Sequence, residues 1–189
     1  DRLGRVDDGT STMDFEPEEV KRKISISSAF DHCEWNGHSI HFVDTPGYGD
    51  FIGDTRACMR ALDCAVVILS AISGVKVQTE EVWEWANEFE IPRIAFVNKM
   101  DKERANFLRA IDDMEKSLKA RGVAIQMPIG AEDSFEGVVD LIRMKACKYT
   151  KDGSGGCQEI DIPADYLDEA QRLREHMIEI VAEAYDALT

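Results

Sequence analysis

The chain lacks any apolar run near the roughly 20 residues a membrane-spanning helix needs, and no signal peptide opens it. Basic residues are scarce: 22 Lys and Arg face 37 Asp and Glu across 189 residues, a formal net charge of −15. That balance argues against a dominant contact with a phosphate backbone, because nucleic-acid-binding domains are usually basic. The five cysteines (Cys33, Cys58, Cys64, Cys147, Cys157) form no CxxC pair and are odd in number. They read as reduced thiols of a cytoplasmic protein rather than a metal site or a disulfide frame. The four histidines show no metal-ligand spacing, and no internal repeat is visible. What remains is enough for a core: 44% of residues are hydrophobic and 31% charged.

Two short strings carry the chemistry. Asp44-Thr45-Pro46-Gly47 follows the apolar run His41-Phe42-Val43, and Asn98-Lys99-Met100-Asp101 follows Ile94-Ala95-Phe96-Val97. The first reads as a DxxG element. A carboxylate at a strand end can orient the waters of a magnesium ion, which keeps most of its hydration shell. A glycine after a tight Thr-Pro step lets a bare backbone N–H approach a phosphate oxygen. The second reads as an NKxD element. The Asp101 carboxylate can accept from guanine N1–H and the exocyclic amine together, a donor pair that adenine lacks. Asn98 would reach N7 or brace the loop, and the Lys99 stem would cover the base. Either Asp alone would be an ordinary turn residue ending a strand. The ordered pair, with strand and helix between, implies a GTP-binding fold.

The pattern along the chain supports this. Residues 1–23 are polar and read as a loop that could order on a ligand. Ile24-Ser25-Ile26 and Ala29 to Trp35 alternate like a strand, Asn36-Gly37 is a hairpin turn, and Ser39 to Val43 returns. Phe51 to Leu62, Thr79 to Phe89 and Arg104 to Ala120 have helical spacing, with Trp83 and Trp85 in packing roles. Cys64 to Ala71 and Pro92 to Val97 read as buried strands. Alternating strands and helices predict an α/β fold with a doubly wound, mostly parallel sheet. Beyond Val123 to Pro128 the character changes. Short strands are expected at 137–142, 145–150 and 158–162, with a flexible turn at 151–156. The last stretch puts Leu167, Ala170, Leu173, Met177, Ile180, Val181, Ala184 and Leu188 on one helical face, a packing stripe.

The chain resembles the GTP-binding domain of translation elongation factor G over essentially its whole length. The likeness lies in Gly9 to Asp14, Arg22 to Ser28, Trp35 to Phe51 and Asn98 to Lys102. It continues in Pro128-Ile129-Gly130-Ala131-Glu132, Phe135 to Ile142 and Ile162 to Tyr166, which resemble the subdomain inserted in that factor. The resemblance implies a P-loop GTPase core, truncated, at 1–129, and the start of a small α+β insert at 130–189. It implies GTP or GDP and Mg2+ as ligands, with Asp44, Thr45, Pro46, Gly47, Tyr48, Asn98, Lys99, Met100 and Asp101 on the nucleotide. Ser25 stands where the family's threonine ligates magnesium, so Ser25 and Asp44 would hold the metal. The ribosome is the implied partner, reached through other domains, and the protein would be a cytoplasmic monomer without membrane or direct DNA contact.

There are departures. No GxxxxGK[ST] string occurs, nor the later Ser-Ala element, and there is no initiator Met. These absences fit a longer protein trimmed at both ends, and the 189 residues alone are expected to be inactive. Lys23 replaces the family's glycine. Tyr48 replaces the histidine that orients the attacking water, and a phenol is a poor base at neutral pH. The implied activity is GTP hydrolysis coupled to translocation, by a diverged elongation factor G-like paralogue. Alternatives are a ribosome recycling or protection GTPase, or a nucleotide switch that hydrolyses little.

Overall fold

The computed structural model describes residues 4, 8–150 and 155–188. The chain divides into two compact units, Asp1–Val67 with Lys76–Ile94, and Ile68–Val75 with Ala95–Thr189.

In the first unit, α1 (Pro17–Arg22) precedes a hairpin of β1 (Ala29–Trp35) and β2 (His38–Asp44). The strands pair antiparallel from Ala29↔Asp44 to Trp35↔His38. Asn36 and Gly37 turn the chain at φ 48° and 77°, the left-handed pair a two-residue hairpin demands. A 3-10 turn, Gly49–Phe51, leads into α2 (Ile52–Met59), and α3 (Val77–Glu88) follows. Met59, Ala86 and Ile91 form a small core, joined by Leu62, Trp85 and Phe89. Trp83 and Trp85 do pack: Arg93 lies 4.3 Å over the Trp83 ring and Arg56 lies 5.6 Å from that of Trp85.

β3 (Ala65–Ser70) and β4 (Arg93–Asn98) are hydrogen-bonded neighbours. The Ala65 N–H donates to Pro92 C=O and the Ala71 N–H to Asn98 C=O, both at 2.9 Å. The offset is the same at both ends, so the strands run parallel. Both were expected to be buried on two faces; β3 is buried on one, and β4 is only partly covered on one. Leu69 is 1% exposed, whereas Val66, Ile68, Ile94 and Phe96 are all more than half exposed. The two-residue alternation of a strand puts these four on the uncovered face.

In the second unit, α4 (Phe107–Leu118) is capped by Asn106, whose side chain accepts from the Arg109 N–H at 2.9 Å. β5 (Gln126–Ile129), β6 (Gly137–Asp140), β7 (Lys145–Tyr149) and β8 (Cys157–Ile160) form an antiparallel sheet in chain order. The long helix α5 (Ala164–Leu188) packs on it. Met127, Ile129, Val139, Leu141, Ala146, Ala170 and Leu173 make this core. The expected stripe on α5 is therefore core over its first turns only. Further along, Val181 is 57% exposed.

Three expectations need correcting. Among the described residues the strands form three small sheets, not one doubly wound sheet, because β5 turns back onto β6 instead of extending β3 and β4. The polar loop at 1–23 contains α1, which has Pro17 at its first position, is capped at its start by the Glu19 carboxylate accepting the Glu16 N–H, and closes at the left-handed Lys23. Ile24-Ser25-Ile26 is not a strand, since the Glu19 side chain takes the Ile26 amide. The turn expected at 151–156 lies mostly outside the described residues.

The reading of five free thiols is also corrected. Cys147 and Cys157 are bonded to each other, with Cα atoms 5.7 Å apart. In the β7–β8 register, Cys147 opposes Glu159 and Tyr149 opposes Cys157, so the cysteines are diagonal neighbours on one face. Cys33, Cys58 and Cys64 are free. Thiol titration of the denatured, unreduced chain should count three thiols and not five. Reduction should lower stability by about 2–3 kcal/mol, the loop-closure effect for a separation of 10 residues.

Candidate functional site

An acidic group is built in the first unit around Glu19, which has no solvent-exposed surface. One carboxylate oxygen accepts the Ile26 and Ser27 N–H groups at 2.8 and 2.9 Å, and the other accepts the Glu16 N–H at 2.9 Å. Burial alone would push this carboxyl up. The N–H donors of Ser27, Ile26, Glu16 and Phe15 outweigh that and hold it below the ordinary glutamate range. The segment from residue 15 to 27 is thereby closed on one charge. The chain turns at Lys23, which sits at φ 56° and donates its N–H to Glu19 C=O at 2.6 Å. This is a conformation glycine adopts freely and lysine at a cost. Lys23, expected to replace a glycine, does occupy a glycine-like position.

Closure places Ser25 beside Asp14, whose carboxylate accepts the Ser25 hydroxyl at 2.8 Å. Asp14 is itself only 7% exposed. Asp44, at the end of β2, still meets solvent. Partial burial of its carboxyl, then the charge of Asp14 and, more weakly, of Glu19 push it up, against the pull of the Thr45 N–H. Acidic groups gathered this way fit a cation, which would relieve their repulsion. Among the described residues no three His, Cys, Asp or Glu are arranged to hold a metal.

After Asp44, Pro46 is fully buried and its C=O accepts the Thr55 hydroxyl at 3.0 Å. This bond from α2 pins the loop. Gly47 is exposed, and a Cβ built there would meet nothing. Packing does not require glycine at 47, which leaves its bare backbone open to an incoming group. Tyr48 is 58% exposed and caps the 3-10 turn through its C=O, which accepts the Phe51 N–H at 2.9 Å. The phenol projects into solvent.

A separate group of candidate residues lies in the second unit, where β4 ends. Asn98 Oδ1 accepts the Lys99 N–H at 2.7 Å, and Lys99 turns at φ 65°. Met100 is 7% exposed and packs with Ala71 and Ala105, anchoring the loop. Asp101 is exposed and pairs with Lys102 at 3.1 Å. Its carboxylate is thus displayed while its neighbour in sequence is locked in the core. The structure brings Ser25 and Asp44 into the first unit's acidic group, and Asn98 to Asp101 into one loop of the second. Sequence reasoning missed Asp14 and Glu19. The one available signal was the three-residue spacing of Glu16 and Glu19 around a proline.

Comparison with known proteins gives two findings. The family model described as the elongation factor Tu GTP binding domain matches residues 1–183. A crystal structure of a protein from Thermus thermophilus is 31% identical, with a TM-score of 0.88. The match covers 97% of this chain and 27% of that one, so the chain spans about a quarter of its relative's length.

Replacing Glu19 should open the segment. Glu19→Ala leaves several backbone donors unpaired, and stability should fall by about 2–4 kcal/mol. Hydrogen exchange at the Ile26 and Ser27 amides should rise. The sign with pH follows from the depressed pKa. Glu19 stabilises fully above the ordinary glutamate range and less as pH falls through it. The gap between wild type and Glu19→Gln, measured by denaturation without nucleotide or magnesium, should shrink on acidification. A gap that widens would contradict the assignment.

Proposed function

The chain belongs to the elongation factor Tu GTP-binding domain family, and from that premise we propose that it serves a ribosome-associated GTPase of the elongation factor G type, coupling GTP hydrolysis to translocation. The observation that carries the nucleotide reading is the Asn98–Asp101 loop, rigid at Met100 and open at Asp101. An exposed carboxylate on an anchored loop can accept two donors from one edge of guanine. The elongation factor G assignment is supported by the likeness of residues 128–142 and 162–166 to that factor's insert. In this reading 1–129 belong to the GTPase core and 130–189 open the insert.

Ser25 and Asp44 would hold Mg2+, which supplies positive charge against the phosphates when bound. This chain's own contributions are positional. Glu19 closes the 15–27 segment and thereby sets Ser25 in place. Thr55 fixes Pro46, so the Gly47 N–H is presented at a defined point. Asn98, Lys99, Met100 and Asp101 orient the base, and Tyr48 lies where a water could be held. A second reading, a GTP switch with little hydrolysis, is favoured by Tyr48 itself, since an exposed phenol is a weak proton acceptor. Single-turnover GTP hydrolysis by the full-length protein, with and without ribosomes, separates the two. Stimulation supports the translocation-type factor, and none supports the switch. A recycling or protection GTPase would also be stimulated, and translocation assays then distinguish it.

Two sets of variants test the residues. Asp101→Asn should weaken GTP binding by about a hundredfold or more and favour a xanthine nucleotide, whose carbonyl replaces the amine donor. Calorimetry showing unchanged GTP affinity would refute the guanine assignment. Tyr48→His should raise ribosome-stimulated hydrolysis by about one to two orders of magnitude, by supplying a group that titrates near neutrality. Tyr48→Phe should lower it. Affinity should stay within about twofold in both, because the contact would matter in the transition state. Equal turnover in all three proteins would mean that Tyr48 never meets the water.

A further inference from the structure

The turn after β5 reaches back to the loop that displays Asp101. Glu132 donates its backbone N–H to Met100 C=O at 2.8 Å, and its Oε1 accepts the Arg104 N–H at 2.6 Å. One residue therefore holds the chain on both sides of Asp101. It does so from a left-handed backbone, φ 55°, which a glutamate adopts only if its surroundings impose it. Those surroundings are rigid. The Gly130 N–H donates to the Tyr166 hydroxyl of α5 at 2.9 Å, and the Glu136 N–H donates to Ile129 C=O at 3.0 Å. Ile129 is 2% exposed in the sheet core, and Ala131 packs against the cluster that contains Met100.

We propose that Glu132 is a positioning residue for guanine recognition: it clamps Met100 and Arg104 so that the Asp101 carboxylate is held in the plane of the base edge. The inference rests on the guanine reading of Asn98–Asp101 and goes beyond it, since Glu132 touches no nucleotide. A base recognised by two donors on one edge requires its carboxylate fixed in orientation. Asp101 is exposed, and its ion-pair partner is the flexible, equally exposed Lys102. The backbone on either side must therefore supply the order. Because Glu132 is exposed, water competes for its carboxylate and the effect should be moderate.

The test uses the full-length protein and the affinity ratio of GDP to IDP, which differ only by the amine that Asp101 would bind. Glu132→Ala should cut that ratio about fivefold, the effect of one hydrogen bond on the loop. Glu132→Gln keeps an acceptor oxygen and should stay within about twofold of wild type. A purely structural role would weaken both nucleotides equally and leave the ratio unchanged, which would overturn the proposal. Should Glu132→Ala not fold, Glu132→Asp keeps the charge but shortens the reach, and a drop of about threefold is expected; no drop overturns it. Asp101→Asn is measured alongside. If it collapses the ratio while the Glu132 variants do not, this inference alone fails. If it too leaves the ratio unchanged, the guanine reading falls and this inference with it.

Discussion

A single buried carboxylate organises the acidic group of the first unit. Glu19 is ionised because backbone N–H groups converge on it, and those groups stay put because the charge is there. Charge-assisted bonds of this kind are roughly twice as strong as neutral ones, and a buried charge without them would be untenable. The consequence reaches three features at once. The segment cannot pair as a strand, since its amides are taken. Lys23 must turn through a left-handed conformation to bring Ile26 back to Glu19. Ser25, two residues beyond that turn, is then delivered to Asp14. A surface that binds and releases a ligand needs this reversibility: the segment is closed by bonds to one side chain and not by a deep apolar core.

The second unit's loop uses the opposite strategy. The loop after β4 is anchored by Met100 in an apolar cluster, and its flanks are tied to Glu132 of the turn after β5, one by a backbone bond and one by the carboxylate. Nothing in that arrangement depends on the ionisation of a buried group. The two groups should therefore differ in what disturbs them, acid weakening the first and core substitutions the second.

What the sequence showed and what it hid have physical causes. The hairpin was legible from Asn36-Gly37 because only certain residues tolerate two successive left-handed positions. The two motifs were legible because their chemistry needs fixed residue types at short spacing. Glu19 was not, since it lies in Glu16-Pro17-Glu18-Glu19, where acidic residues ordinarily face water. Burial there is decided by a backbone that folds over it, and no local pattern records that. Glu132 was hidden for the same reason, its partners being backbone groups about thirty positions away. The Cys147–Cys157 pair depends on hairpin register, which cysteine spacing does not specify. The parallel pair β3–β4 followed from the alternation of elements, but alternation says nothing of whether neighbouring strands bond into one sheet.

The cores explain why these errors fall where they do. The antiparallel sheet and α5 bury a continuous set of seven hydrophobic residues, and the elements there follow the hydrophobic pattern closely. Among the described residues, the first unit's cluster of Met59, Ala86 and Ile91 is smaller, and its hairpin leaves Phe30, Trp35 and Phe42 about half exposed or more. A two-stranded hairpin is marginal without a covered face. Where apolar burial is thin, polar contacts decide the local conformation, and pattern reading loses its main signal. The acidic site sits in that thin region. Its geometry is accordingly set by the hydrogen bonds that Glu19 accepts and the one that Thr55 donates to Pro46 C=O, not by apolar packing.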